Sequence, residues 1–225
     1  KFKKSMILSN IRTQAQNKKM YQELDRLHRL FSKNDFKFVV LKGPVMAKKV
    51  YKYPGVRPFG DLDLLVSPDD TMNIHILLKE DGYIPYIVHQ DKIATEEEVK
   101  ERAQNGLHLF PYVKKTQGGS FAVEIHQFGK EFNIKQKFDY ERVYREAKEE
   151  KLKQEKVRIP KTVDLFLWSC IHLAHHYIPC STSINLNNKC FILKLLMDIR
   201  ESYFKMKSCL KLNDYKPYII NNKEL

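Results

Sequence analysis

The chain has 225 residues, 43% of them hydrophobic, a length and composition ordinary for one large globular domain or two small ones. Its 40 Lys and Arg residues against 27 Asp and Glu give a net charge of +13, which favours polyanionic partners (nucleotides, nucleic acid or an anionic membrane surface) unless it marks only a solvated basic surface. No apolar run approaches the ~20 residues of a membrane span, and the 4 cysteines form no Cys-x-x-Cys pair, so we expect no membrane span, no disulfide scaffold and a cytoplasmic protein.

The first part of the chain is predicted to alternate helices and strands. The elements are a helix over 5–33 (continuous or broken once), a buried strand over 38–41, a helix from Gly43, a strand over 61–66 and a helix from Ser67 to about Glu80. Apolar residues at helical spacing predict the first helix. Pro44 suits the first turn of the second, and Ser67 is the predicted cap of the third.

The middle of the chain is predicted to contain a hairpin and several charged segments. The elements are a strand over 83–89, a helix from Thr95, hairpin strands over 107–114 and 121–127, a charged helix over 139–156 and an extended link over 157–160. The hairpin is predicted from alternating apolar residues around Gly118-Gly119.

After Pro160 the chain turns apolar and predicts buried helices, one capped by Thr162 and one over Cys190–Tyr203. We therefore expect a mixed α/β core with a small mixed sheet over 1–158, followed by a helical part over 159–225.

Two aspartates on the second predicted strand are candidate metal ligands. Asp61 and Asp63 are two residues apart, so their side chains leave the same face of the strand. Adjacent carboxylates are costly unless a cation lies between them, and Mg²⁺ prefers carboxylate oxygens together with substrate phosphates. A polar face on a surface strand is the alternative.

A later strand carries a third carboxylate. Glu124 and His126 share one face of the predicted strand over 121–127. If this strand lies beside the first, both side chains face Asp61 and Asp63, and Glu124 becomes the third ligand. Otherwise Glu124 lies on the wet face of a hairpin.

These motifs in this order resemble a family of uncharacterised nucleotidyltransferases in the polymerase-beta-like superfamily. The similar segments are Val40-Leu41-Lys42-Gly43, Arg57-Pro58-Phe59-Gly60-Asp61-Leu62-Asp63, Val123-Glu124-Ile125-His126 and Cys170-Ile171-His172-Leu173-Ala174-His175-His176. The resemblance implies a polymerase-beta-like core that uses Mg²⁺ (two ions, with Mn²⁺ as a substitute) and a nucleoside triphosphate such as ATP. It also implies Asp61, Asp63 and Glu124 as catalytic metal ligands.

The phosphate end of this site is predicted at Lys42 and Gly43. Glycine lets backbone approach a phosphate closely, and lysine supplies charge. The superfamily has a second Gly or Ser where this chain has Pro44, which offers neither N–H nor hydroxyl, so Lys42 is the expected contact. Arg57 and Gly60 are assigned to the same role, against the alternative of surface residues.

Three histidines are candidates for the acceptor site. His126 is expected to bond a catalytic carboxylate or the acceptor, whereas His172, on a buried helix, is more often a satisfied core residue tied to Asp198. His172, His175 and His176 form a polar stripe. We expect this stripe to border the acceptor site, with His175 or His176 exposed and His172 on the inside. A zinc site with Cys170 and Cys180 is a weaker alternative because the spacing matches no zinc pattern.

The sequence therefore predicts a nucleotidyltransferase that moves a nucleoside monophosphate to a hydroxyl or phosphate of an acceptor. Small molecules, sugar phosphates, peptides and RNA ends all stay open as acceptors. The alternatives are a same-fold transferase of another phosphate-linked group, such as a sugar phosphate, and a non-catalytic module that binds nucleotide or RNA through its basic surface.

Overall fold

The computed structural model describes residues 2–53, 55–106, 108–128, 138–177 and 189–207, with residues 2, 174–177 and 189–191 described by backbone alone. The chain divides into two compact units, Lys1–Lys161 and Thr162–Leu225. Each has its own secondary structure and is treated separately below.

The first unit contains helices on a single sheet. Its helices are α1 (Phe2–Lys33), α2 (Lys42–Val45), which a π-helical segment Met46–Val50 continues, α3 (Thr71–Glu80) after the 3₁₀ turn Pro68–Asp70, α4 (Glu96–Asn105) and α5 (Tyr140–Glu146). Its strands are β1 (Phe38–Val40), β2 (Asp61–Val66), β3 (Ile84–Ile87), β4 (Lys92–Ile93) after the 3₁₀ turn Val88–Gln90, β5 (Tyr112–Thr116), β6 (Gly119–Gln127), β7 (Lys148–Lys151) and β8 (Lys156–Ile159).

The sheet is mixed, and β2 lies near its centre. Within the described residues the strand order is β4-β3-β5-β6-β2-β1-β8-β7. Strand β2 pairs antiparallel with β1 and parallel with β6, and β1 pairs parallel with β8. The predicted mixed α/β class is confirmed, although the sheet is larger than the small one expected.

The central strands are buried on both faces, as their apolar sequences require. Leu62, Leu64, Leu65 and Val66 of β2 are fully buried. Beyond β1, the Leu41 N–H donates to the Asp63 carbonyl at 2.8 Å, so the backbone pairing continues to the edge of the candidate site. This anchors Lys42 close to Asp63.

Helix α1 covers this core with its second half. It is continuous rather than broken. Its buried residues are Met20, Tyr21, Leu24, Leu27 and Phe31, which recur at the spacing of one helix face.

Two predicted helix starts differ in outcome. Thr95 caps α4 with a full capping box, in which its side chain accepts from the Glu98 N–H and the Glu98 carboxylate accepts from the Thr95 N–H. Ser67 makes no capping hydrogen bond, because a 3₁₀ turn intervenes before α3.

The helix predicted over 139–156 is wrong beyond Glu146. The chain instead forms the β7–β8 hairpin, and β8 pairs with β1. Val157 and Ile159 alternate inward on β8, so tertiary pairing at the sheet outweighs the helical preference of the charged residues.

The second unit contains α6 (Thr162–Tyr177) and α7 (Lys189–Lys207), which pack against each other. Val163, Leu165, Leu195 and Met206 are among its buried apolar residues. Thr162 is the first residue of α6 rather than its cap. Among the helices that the structure describes, none has the length and apolar character that crossing a membrane requires.

Candidate active site

The pairing of β2 with β6 brings the predicted acidic residues together. In the parallel register Asp63 lies opposite Glu124, Leu65 opposite His126 and Asp61 opposite Ala122. The two strands are adjacent, as predicted from their sequences. Because side chains alternate along each strand, Asp63, Glu124 and His126 point to one face of the sheet.

His126 and Asp63 form a buried hydrogen bond. The Nε2–H of His126 donates to Oδ1 of Asp63 at 2.8 Å. Asp63 is 1% exposed and His126 is 7% exposed. The imidazole therefore fixes the orientation of the carboxylate from the neighbouring strand.

Lys42, the first residue of α2, completes the cluster. Its ammonium donates to Oδ1 of Asp63 and lies 3.8 Å from Oε2 of Glu124. It is also 3.4 Å from Nε2 of His126. One cation thus lies among all three of the site's other polar groups.

The backbone of Lys42 is strained. Its φ is +50°, in the left-handed region that side chains other than glycine seldom adopt. Such conformations persist where the surrounding structure imposes them and are concentrated at functional sites. At Lys42 the strain is coupled to a side chain directed at Asp63.

The electrostatics of Asp63 and His126 favour a carboxylate beside a neutral imidazole. Burial alone would raise the pKa of Asp63, but the Lys42 charge and the hydrogen bond from His126 outweigh it and hold that pKa below its usual range. Burial and the Lys42 charge lower the pKa of His126 to about 4. The imidazole is therefore neutral near pH 7.

Glu124 is perturbed in the opposite direction. Burial and the negative charges of Asp63 and Asp61 raise its pKa to about 7, although Lys42 opposes the shift. A carboxyl with a pKa near neutrality can accept or release a proton in a reaction at that pH.

The donor set suits a divalent ion. Ligand atoms of Asp63, Glu124 and His126 all lie within 4.8 Å of one another. Two carboxylates match Mg²⁺ or Mn²⁺, while His126, whose Nε2–H donates to Asp63, orients one of them. Asp61, exposed at the start of β2, is not part of this compact group, but its charge contributes to the raised pKa of Glu124.

The other residues predicted to contact phosphate are Gly43, Gly60 and Arg57, and each has different surroundings from Lys42. A Cβ on Gly43 would lie 2.6 Å from Cβ of Phe59, whereas a Cβ on Gly60 would meet nothing within 4 Å. Gly43 is thus required by packing. Arg57 is buried and donates to the carbonyl of Pro58, so its guanidinium is engaged by its own turn.

One histidine of this site was missed from the sequence. The backbone of His108 forms an isolated antiparallel β-bridge with that of His126. The centroids of the two imidazole rings are 5.6 Å apart. Arg102 donates to the His108 carbonyl at 3.0 Å, and burial lowers the pKa of His108. The signal was available, because 107–114 was predicted to pair with the strand that carries His126.

The histidines of α6 belong to the second unit. The ring of His172 packs edge-on against Trp168 with centroids 4.4 Å apart. Asp198, the predicted partner of His172, is buried. The side chains of His175 and His176, and Cys180 of the zinc alternative, lie outside the described residues.

Comparisons with known proteins give one extensive family match. Residues 3–214 match the model of a family described as "Uncharacterised nucleotidyltransferase". No curated protein matches the chain.

Two solved structures are similar at low identity. An antigenic nucleotidyltransferase-like protein from Paracoccidioides brasiliensis has 13% identity and a TM-score of 0.47, covering 81% of this chain and 74% of that one. ANT(2")-Ia in complex with adenylyl-2"-tobramycin has 9% identity and a TM-score of 0.43, covering 81% and 87%.

Proposed function

Because the chain belongs to the uncharacterised nucleotidyltransferase family, we propose that it transfers a nucleoside monophosphate from a nucleoside triphosphate to a hydroxyl or phosphate of an acceptor. The observation that carries this proposal is the register of β2 and β6, which sets Asp63 opposite Glu124. Both carboxylates lie within reach of the Lys42 ammonium. Carboxylates beside a lysine are what a phosphate-transfer site needs to bind metal and phosphate together.

Asp63 and Glu124 would hold the divalent ion, Mg²⁺ or Mn²⁺, with Asp61 at the edge of the site. When bound, such an ion neutralises charge on the phosphates and favours the deprotonated acceptor oxygen. His126 keeps the Asp63 carboxylate oriented through its 2.8 Å hydrogen bond. Lys42 would bind a phosphate oxygen by its charge.

Glu124 is the group best suited to take the acceptor's proton. In the metal-free protein its pKa is about 7, and with an ion bound to one of its oxygens the other would be available for the acceptor's proton. The acceptor oxygen forms a bond to the α-phosphorus, and the bond from the α-phosphorus to its bridging oxygen breaks. Pyrophosphate leaves, and Glu124 keeps the proton.

Label transfer tests the function. Each of the four NTPs, labelled at the α-phosphate, would be incubated with the protein, Mg²⁺ or Mn²⁺, and small-molecule or RNA fractions of a cell extract. We expect a labelled product with one nucleotide, and a loss of at least about a hundredfold in Asp63→Asn, which removes a catalytic charge. Asp69→Asn, which changes an exposed carboxylate, is the matched control.

The outcomes separate the alternatives. Equal label transfer by Asp63→Asn and the wild type would contradict the proposed site. Binding of nucleotide or RNA without transfer would favour the non-catalytic module, for which the net charge of +13 is the supporting feature. Transfer of a phosphate-linked group other than the labelled nucleotide would favour the same-fold alternative.

A further inference from the structure

The Lys42 ammonium lies among the same atoms that would ligate a divalent ion. It bonds Oδ1 of Asp63 and lies 3.8 Å from Oε2 of Glu124. The Lys42 side chain is 17% exposed and that of Asp63 is 1% exposed, so water screens this charge poorly.

A metal and this ammonium compete for one carboxylate oxygen. Oδ1 of Asp63 already accepts from Lys42 and from His126. Divalent ions bind carboxylate oxygens at ~2.0–2.6 Å, and two cations sharing one buried oxygen repel each other strongly. Metal ligation through Oδ1, the oxygen that faces Lys42 and His126, therefore requires the ammonium to leave.

A displaced ammonium needs another anion. Leaving it buried without a counter-charge is costly, and its flexible four-carbon stem lets the charge move while the backbone stays in place. The phosphates of an arriving nucleotide are anions of the required kind.

We propose that Lys42 occupies the divalent-ion position in the nucleotide-free protein and that metal enters together with the nucleotide, whose phosphates take over the ammonium. The nucleotide half of this inference rests on the proposed function, whereas the competition between Lys42 and metal does not. Metal binding should therefore be weak without nucleotide, and Lys42 should be the cause.

Titration with Mn²⁺ alone, followed by the electron paramagnetic resonance signal of free Mn²⁺, tests the competition. Lys42→Met should bind Mn²⁺ at least about tenfold more tightly than the wild type, since a nearby charge commonly changes ionic equilibria by one to three powers of ten. Lys48→Met, which removes an exposed lysine, should match the wild type. Equal Mn²⁺ affinity in all three proteins would overturn the proposal.

A labelling experiment on the wild type covers the case in which Lys42→Met does not fold. Acetic anhydride would be applied with and without Mn²⁺, and acetylation of each lysine would be followed by mass spectrometry. At a Mn²⁺ concentration that saturates the wild type in the titration, acetylation of Lys42 should increase several-fold and that of Lys48 should not change. Unchanged acetylation of Lys42 at saturation would overturn the proposal. These readouts are independent of nucleotide transfer, so the competition can fail while the proposed function holds, or the reverse.

Discussion

Asp63 shows what a buried charge demands of its neighbours. The carboxylate is almost fully enclosed, yet Lys42 and His126 keep its pKa low. The Asp-x-Asp pattern marks the residue, but it cannot indicate which cation compensates it. That depends on the start of α2, where Lys42 adopts a positive φ. Glu124 is less well compensated, so burial and the negative charges of Asp63 and Asp61 raise its pKa.

Glu124 is expected to make stability depend on pH. Its pKa of about 7, against an ordinary 4.5, means that the folded chain retains a proton which the unfolded chain loses as pH rises from about 4.5. Stability contributed by the protonated form is thus lost through this window and is gone above about 7. Glu124→Gln imitates the protonated state, so in metal-free protein it should be more stable than the wild type at pH 8 and similar at pH 4.5.

The expected gain is roughly 1–3 kcal/mol at pH 8, since a tenfold change in acid constant is worth about 1.4 kcal/mol and partial exposure reduces it. Thermal midpoints measured across pH in EDTA would check this. Glu141→Gln, at an exposed residue of α5, is the control. A constant difference between Glu124→Gln and the wild type at all pH values would contradict the assigned ionisation.

At the level of elements, the local sequence pattern predicted the strands whose own apolar residues are buried in the core. The strands β2 and β6 were identified because apolar residues and alternation agree with their final positions. The charged segment after Glu146 was not, because β8 gains its stability from pairing with β1, which lies far away in sequence. Within the site, Asp63 and Glu124 were predicted from motifs. His108 was missed although the segment that contains it was predicted as a strand, because no motif marks it.

Helix α2 and the turn before β2 meet at a glycine, and this contact is testable. Gly43→Ala should destabilise the protein by about 1–3 kcal/mol, because its Cβ would overpack against Phe59, 2.6 Å away. Gly60→Ala meets open space and should be neutral or slightly stabilising. Thermal melts of both variants would check the pair. Equal stability of the two variants would contradict the close packing of α2 on Phe59.

For the whole molecule, the excess of positive charge is a long-range property, distinct from the charge at the site. The net +13 should attract an anionic nucleotide and accelerate its association, and salt screens such attraction beyond about 8 Å at physiological ionic strength. Lys42 differs because it is only 17% exposed, so a contact that it makes is screened less.

Nucleotide binding should therefore respond to salt in two separable ways. Replacing the exposed residues Lys48, Lys100 and Lys115 by Gln should slow association at low salt, and the difference from the wild type should vanish at high salt because the lost attraction is already screened there. Lys42→Met should weaken binding at both salt concentrations, because the lost contact is local. Stopped-flow measurements with a fluorescent nucleotide analogue, at salt concentrations from about 0.05 M to about 0.5 M, would give the association and dissociation rates of each variant. The Debye length shortens about threefold over this range. If the effect of Lys42→Met disappeared at high salt together with that of the triple variant, Lys42 would act only through the general field of the protein and not by contact with phosphate.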